Sequence, residues 1–278
     1  MISYITGAYD ILREKDLKEL DKQIQISKSQ NVKNFAIGVY DNNLCTHLGL
    51  NTPLKSLEDR LQIMSQIRGV DFTFPVSSLD PNVMKKRIEK AYQEYSNKIQ
   101  SKHKHNNNPR YALSYAPGTY DLFHAGHLEN LLIASENSEK LIVGVKADEL
   151  VREHKNRDPI ISAEERAEIL RHFKFVYDVY IYYTRDLINA RDFLKSKYNQ
   201  DIDAVFLGSD LKNDFKDVEG INIVFTDRDE EKMAERSTTA YVRKIALNKE
   251  HKKESFTGNL PKKSNNKDKS NESEGLEI

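Results

Sequence analysis

Two histidines three residues apart, His124 and His127, lie in the stretch PGTYDLFHAGH (Pro117 to His127), separated by Ala125 and Gly126. An imidazole, with an ordinary pKa of about 6.5, donates hydrogen bonds to phosphate oxygens whether neutral or charged. Gly126 would let the backbone approach a ligand where a Cβ would collide. On residue types alone the pair reads as one wall of a phosphate cradle, with a solvated turn or a fragment of a metal site as plainer alternatives. The elements needed to hold it flank it. YALSYA (Tyr111 to Ala116) is a β-prone run, and Leu128, Leu131, Leu132 and Ile133 follow at helical spacing. The histidines are therefore expected where a strand ends and a helix begins, with the free N–H groups of that helix turned into a crevice that suits an anion.

Further along, LIVGV (Leu141 to Val145), VYDVYIY (Val176 to Tyr182), AVFLG (Ala204 to Gly208) and INIVF (Ile221 to Phe225) read as strands separated by helical stretches. Ser162 with Glu165 three residues on predicts a capped helix start. Alternating strands and helices with short connections predict an α/β fold with a doubly wound parallel sheet, ligands gathering at the carboxyl ends of its strands. Asp148 follows LIVGV, and Lys155 and Arg157 fall in a polar loop after it, where a lysine can close over a phosphate as a point charge. Arg166 falls in the first turn of the helix after Ser162, where the helix dipole repels a cation. Either an anion shares that place or a salt bridge to Glu164 or Glu165 offsets it.

GTYDLFHAGH is similar to the G-x-F-D-x-x-H-x-G-H signature of the cytidylyltransferase-like nucleotidyltransferases, with Tyr120 in place of the usual phenylalanine. Arg236-Ser237-Thr238-Thr239 resembles the tail of that family's second signature, a Ser-Thr-Thr sequence opening a helix, and the resemblance covers roughly Arg110 to Leu247. It implies a Rossmann-like nucleotidyltransferase in which His124, His127 and Lys155 are catalytic. It sets Gly118, Thr119, Tyr120, Gly126, Gly208, Asp210, Arg228, Arg236, Ser237 and Thr238 around the nucleotide, and Asp121, Asp148 and Arg166 around the acceptor. Gly208-Ser209-Asp210 departs from the commoner Gly-Asp-Asp turn at Ser209, Leu211 stands where a tryptophan is frequent, and Arg228 lies further from Ser237 than the pattern asks, so Arg236 competes for its role. The implied reaction is transfer of CMP from CTP to a small phosphorylated alcohol, glycerol 3-phosphate first and phosphocholine or phosphoethanolamine next. Mg²⁺ is carried by the nucleotide and pyrophosphate is released. The alternatives are an adenylyltransferase acting on heptose phosphate or flavin mononucleotide, and a non-catalytic nucleotide-binding or regulatory protein.

The chain has 278 residues, which predicts two domains. Its 43 basic and 43 acidic side chains cancel, so no global field argues for nucleic acid or a membrane surface. A mean hydropathy of −0.70 suggests that part of the chain joins no core. The single cysteine, Cys45, excludes an intrachain disulfide, and neither a long apolar run nor a signal peptide is visible, so a cytoplasmic protein without membrane insertion is expected.

The chain also resembles itself. ITGAYDILREKDLKEL (Ile5 to Leu20) matches APGTYDLFHAGHLENL (Ala116 to Leu131), with Gly7 on Gly118 at an offset of 111 residues. FAIGVYDNNL (Phe35 to Leu44) and PLKSLEDR (Pro53 to Arg60) fall on LIVGVKADEL (Leu141 to Leu150) and PIISAEER (Pro159 to Arg166), Gly38 lying 106 residues before Gly144. His124, Gly126 and His127 become Arg13, Lys15 and Asp16, so residues 1–100 read as an inactive copy, followed by a linker over 101–110, a catalytic domain over 111–247 and a disordered tail over 248–278. Arg13, Lys15 and Arg60 leave a regulatory anion site open as an alternative use of that copy. A homodimer is expected, or a pseudo-dimer within one chain if the inactive copy takes the partner's place.

Overall fold

The structure, a computed structural model, describes residues 2–101, 110–184, 186–208, 220–226 and 237–246. Asp210, Arg228 and Arg236, with Ser209, Leu211, nearly all of the linker and the whole tail, lie outside the described residues.

The first half runs β1 (Ile2–Gly7), α1 (Glu14–Ser29), β2 (Asn34–Tyr40), α2 (Asn42–His47), α3 (Leu57–Ser65), β3 (Phe72–Val76) and α4 (Pro81–Ser101). The second runs β4 (Tyr111–Gly118), α5 (Ala125–Glu136), β5 (Ser138–Lys146), α6 (Asp148–Lys155), α7 (Ala163–Arg171), β6 (Asp178–Tyr182), α8 (Leu187–Tyr198), β7 (Ala204–Gly208) and β8 (Asn222–Thr226). Strand and helix thus alternate in the same order through both halves, and the second continues with two more strands. The strands form two parallel sheets, one ordered β1-β2-β3 and one ordered β6-β5-β4-β7-β8. In the larger sheet the order reverses between β4 and β7. That is a topological switch point, where a crevice opens beyond the carboxyl ends of the strands. The described residues up to Tyr241 form one compact unit.

Apolar side chains explain why β5 and β7 lie inside: Leu141, Ile142, Val143 and Val145 are buried, as is every residue of β7. Gly144 interrupts the run in β5 for a packing reason. A Cβ there would stand 2.2 Å from the Tyr115 hydroxyl. Gly144→Ala is expected to cost about 1–3 kcal/mol by overpacking against this buried tyrosine, read as a lowered thermal denaturation midpoint.

The halves meet along a seam with two-fold character. Ile67 and Phe173 form an antiparallel bridge. Arg68 donates its backbone N–H to His172 O at 2.8 Å, and Lys174 donates its own to Gln66 O at 2.9 Å. The side chains repeat the exchange: the Arg68 guanidinium reaches Phe173 O and Val176 O, while the Lys174 ammonium reaches Ser65 O and Val70 O. Residues 66, 68 and 70 lie 106 positions before 172, 174 and 176, the same offset that separates Gly38 from Gly144. His172 Nε2 also meets Asp21 at 2.9 Å.

Candidate functional site

The turn between β4 and α5 is tightly specified. Tyr120 and Leu122 have φ of 55° and 51°, left-handed values that side chains other than glycine seldom adopt, and such strain collects where a site must be shaped. The Tyr120 hydroxyl donates to Ala116 O at 3.0 Å, so the departure from phenylalanine has a partner. Gly118 has to be glycine here, because a Cβ would stand 2.7 Å from the Tyr120 ring. Tyr9 in the first half repeats the strained turn at φ 48°.

From this turn the chain enters α5 with His124 as the residue before its first turn. His124 and His127 stack, with ring centroids 3.7 Å apart and planes 22° from parallel. Tyr120 and Phe123 pack against His127 at 5.2 and 5.7 Å. His124 is buried, and its Nε2 lies 3.5 Å from Thr238 Oγ1, which in turn bonds Asp121 O at 3.0 Å. Ser237 caps the helix that begins at Thr238, its Oγ accepting from Ala240 N at 3.2 Å. The two signatures, separated by about a hundred residues of chain, are thus brought together.

A crevice of about 210 Å³ opens at the switch point. Of the residues singled out in the sequence, Gly118, Thr119, Tyr120, His127, Lys155 and Gly208 line it. Gly126 is buried in the first turn of α5, and Thr238 stands beside His124 in a helix that Ser237 caps. The crevice walls also include Lys146, Asn130, Tyr182, Thr184 and Asp186, none of which the sequence brought forward. Lys146 ends β5, so the carboxyl-end rule had a signal for it. Thr184 and Asp186 come from the β6–α8 connection, which carries no recognisable motif.

The sequence predicts a loop at Lys155, but the structure makes it the last residue of α6. Asp148 and Glu149 in the first turn and Arg152, His154 and Lys155 in the last match the helix dipole, and Asn156 closes the helix in the left-handed region at φ 47°. The pKa of Lys155 lies below the ordinary lysine value, chiefly through desolvation, with repulsion from Arg157 and Arg166 added and Asp121 opposing. A phosphate arriving here relieves that repulsion.

Asp121, Asp148 and Arg166, expected around an acceptor, are hydrogen-bonded within the protein. Arg166 is buried. It donates Nε to Ile161 O at 2.8 Å, Nη1 to Thr119 O at 2.5 Å and Nη2 to Asp148 Oδ1 at 2.5 Å. Its charge is therefore answered by Asp148, not by Glu164 or Glu165. Asp121, also buried, accepts from the backbone N–H groups of Ile160 and Ile161 and pairs with Arg157 at 3.3 Å. None of the three lines the crevice; they tie the β4–α5 turn to α6 and α7. The predicted capping box is half made: Ser162 Oγ accepts from Glu165 N at 3.3 Å, but the Glu165 carboxylate leaves for Arg13 Nη1 and Glu14 N, both at 3.1 Å.

Among the described residues no helix is long and apolar enough to cross a membrane, and no three histidine, cysteine or carboxylate side chains cluster as metal ligands would.

Comparison with known proteins bears on the same region. An FAD synthase from Pyrococcus horikoshii is 38% identical over 112 residues, covering 38% of this chain and 72% of that protein. An FAD synthase from Thermococcus kodakarensis is 47% identical over 64 residues, 23% of this chain and 43% of the relative. A probable ethanolamine-phosphate cytidylyltransferase from Encephalitozoon cuniculi is 36% identical over 67 residues, 24% and 21%. The chain thus spans less than half the length of the latter two. A crystal structure of a lipopolysaccharide core biosynthesis protein from Thermoplasma volcanium aligns over 43% of this chain and 98% of its own, at 22% identity and a TM-score of 0.37. Residues 115–257, just over half of the chain, match the cytidylyltransferase-like family. That span begins inside β4, the strand that delivers the paired histidines, and the chain belongs to the cytidylyltransferase-like family of nucleotidyltransferases.

Proposed function

We propose that this chain transfers a nucleoside monophosphate from a nucleoside triphosphate to the phosphate of an acceptor. The carrying observation is the stacked His124–His127 pair at the start of α5, beside a switch-point crevice that Lys155 also lines. An acceptor phosphate oxygen attacks the α-phosphorus in line. The bond from that phosphorus to the α,β-bridging oxygen breaks, and pyrophosphate leaves with the electron pair. No covalent enzyme intermediate and no strong base are needed, so catalysis is positioning plus charge stabilisation. His127 and the helix N-terminus receive the charge on the transferring phosphate, His124 supports His127 from behind, and Lys155 neutralises the leaving group. Asp210, Arg228, Arg236, Ser237 and Thr238 remain our candidates for the rest of the triphosphate. Mg²⁺ enters with the nucleotide and offsets the charge of pyrophosphate.

For the substrates, the FAD synthase relatives favour ATP with flavin mononucleotide, the adenylyl alternative. CTP with a small phospho-alcohol, glycerol 3-phosphate first, is the second reading. It is supported by the signature GTYDLFHAGH and by the ethanolamine-phosphate cytidylyltransferase relative. Pyrophosphate release by the purified chain, crossing ATP and CTP against flavin mononucleotide, glycerol 3-phosphate, phosphocholine, phosphoethanolamine and heptose 1-phosphate, separates the two. A signal with one pair fixes base and acceptor together, and silence across the panel while nucleotide binds removes the catalytic reading.

The first half, in this reading, is an inactive copy of the second. The shared element order, the repeated strained turn and the 106-residue exchange along the seam support it. Arg60 supports it too: buried like Arg166, it bonds Lys55 O, Ala8 O and Asn42 Oδ1, the counterparts of Ile161, Thr119 and Asp148. An isologous seam satisfied within one chain leaves no need for a second subunit there. The protein is expected to elute as a monomer in gel filtration, and a stable dimer would count against the pseudo-dimer.

A further inference from the structure

We propose that Lys55, in the first half of the chain, is a positioning residue for the transfer site in the second, acting through Tyr241 on His124 and Thr238; the proposal rests on the function given above. Lys55 is 2% exposed. Its ammonium donates to Asp10 O and stands 5.4 Å from the centroid of the Tyr241 ring, a cation–π distance. Tyr241, equally buried, brings its ring centroid to 5.8 Å from that of His124. The Tyr241 N–H bonds Ser237 O at 3.1 Å, so the ring belongs to the same helical turn that holds Thr238 against Asp121 O and beside His124 Nε2. Pressing on Tyr241 therefore presses this turn onto the histidine.

A side chain that merely filled space would not need a charge. The second half supplies the control, because the residue 106 positions on is Ile161, also buried. Both do the same backbone work: Lys55 N bonds Asp10 Oδ1 at 2.9 Å and Ile161 N bonds Asp121 Oδ1 at 3.1 Å. The fold is thus satisfied by an aliphatic side chain at this position, and a buried ammonium is costly unless something uses it. What Lys55 adds is an ammonium 5.4 Å from the centroid of the Tyr241 ring.

The charged groups facing Lys55 are Asp10 and Asp59, which favour the cation, and Arg60, which with burial opposes it. The balance brings its pKa down to about 8. The ammonium is present below that value and lost as pH rises through it, so the hold on Tyr241 weakens in mildly alkaline solution.

The test uses the full chain as Lys55→Met and Lys55→Arg. In Lys55→Met, kcat for the productive nucleotide and acceptor pair is expected to fall about tenfold, with KM for the nucleotide little changed. The Tyr241 amide should exchange with solvent faster while the Val143 amide in β5 keeps its protection. Lys55→Arg, charged at every accessible pH, should keep its kcat at pH 9 where the wild type declines. Wild-type kcat and wild-type exchange at Tyr241 in Lys55→Met would overturn the proposal. If Lys55→Met does not fold, Tyr241→Leu takes its place and must show the same loss of kcat and of the alkaline decline, or the proposal fails. The exchange measurement needs no substrate. A wild type silent with every pair therefore refutes the transferase reading, while exchange still decides whether Lys55 holds Tyr241.

Discussion

His124→Ala is expected to lower kcat by about 10² to 10³, about 3–4 kcal/mol of transition-state stabilisation, the scale of losing one preorganised donor to a developing anion, because His127 loses the stacked ring that holds it. The geometry says why the loss should be so large for a residue that does not itself line the crevice. His124 stacks on His127 at 3.7 Å and brings Nε2 to 3.5 Å from Thr238 Oγ1, so its removal frees the neighbouring imidazole to turn away from the transferring phosphate. Being buried, it also leaves a cavity, so the kinetic result needs a companion variant. His124→Asn keeps polarity and part of the volume and should melt near the wild type, yet remain impaired. Single-turnover measurement of pyrophosphate formation is the check, with nucleotide affinity measured separately. Retention of wild-type turnover by His124→Ala would remove the histidine pair from the mechanism.

Arg166→Leu should be the most destabilising of the substitutions considered, by about 3–5 kcal/mol, as when one partner of a buried charge pair is deleted. Leucine has about the right bulk but leaves Thr119 O, Ile161 O and Asp148 Oδ1 without their donor at once. Urea unfolding followed by far-UV circular dichroism reads it as a shift of midpoint with little change in slope. The same measurement separates two roles for this arginine. A residue that only bound acceptor phosphate would leave the midpoint alone and raise KM, whereas the hydrogen bonds drawn here predict the reverse order of effects.

The contrast between those two residues shows what the sequence could carry. Local patterns were legible: AVFLG is β7 residue for residue, the helix after Ser162 starts where its cap predicts, and the glycine-histidine turn joins β4 to α5 as expected. Contacts across long stretches were not. Nothing in a linear pattern says that Glu165 will abandon its own helix start for Arg13, 152 residues away, or that Arg166 will choose Asp148 over its neighbours on the same turn. Both choices follow from how α1, α6 and α7 pack, which depends on every intervening element. The crevice was half visible for the same reason. Gly118, Thr119, Tyr120 and His127 of the first signature line it, while Tyr182, Thr184 and Asp186 line it only because β6 lies two strands from β4 in the sheet.

The seam at residues 66–70 and 172–176 has one more property. In an assembly of identical subunits each substitution is made twice, and a favourable change on one side arrives with its copy on the other. Here Arg68 and Lys174 occupy matching places with different side chains, and each reaches a different pair of carbonyls. The two sides can therefore be tuned one at a time. Because they are tethered, their meeting is unimolecular and does not weaken on dilution. Catalysis that depends on the seam should accordingly persist at nanomolar protein, where a reversible pair of separate chains would have come apart.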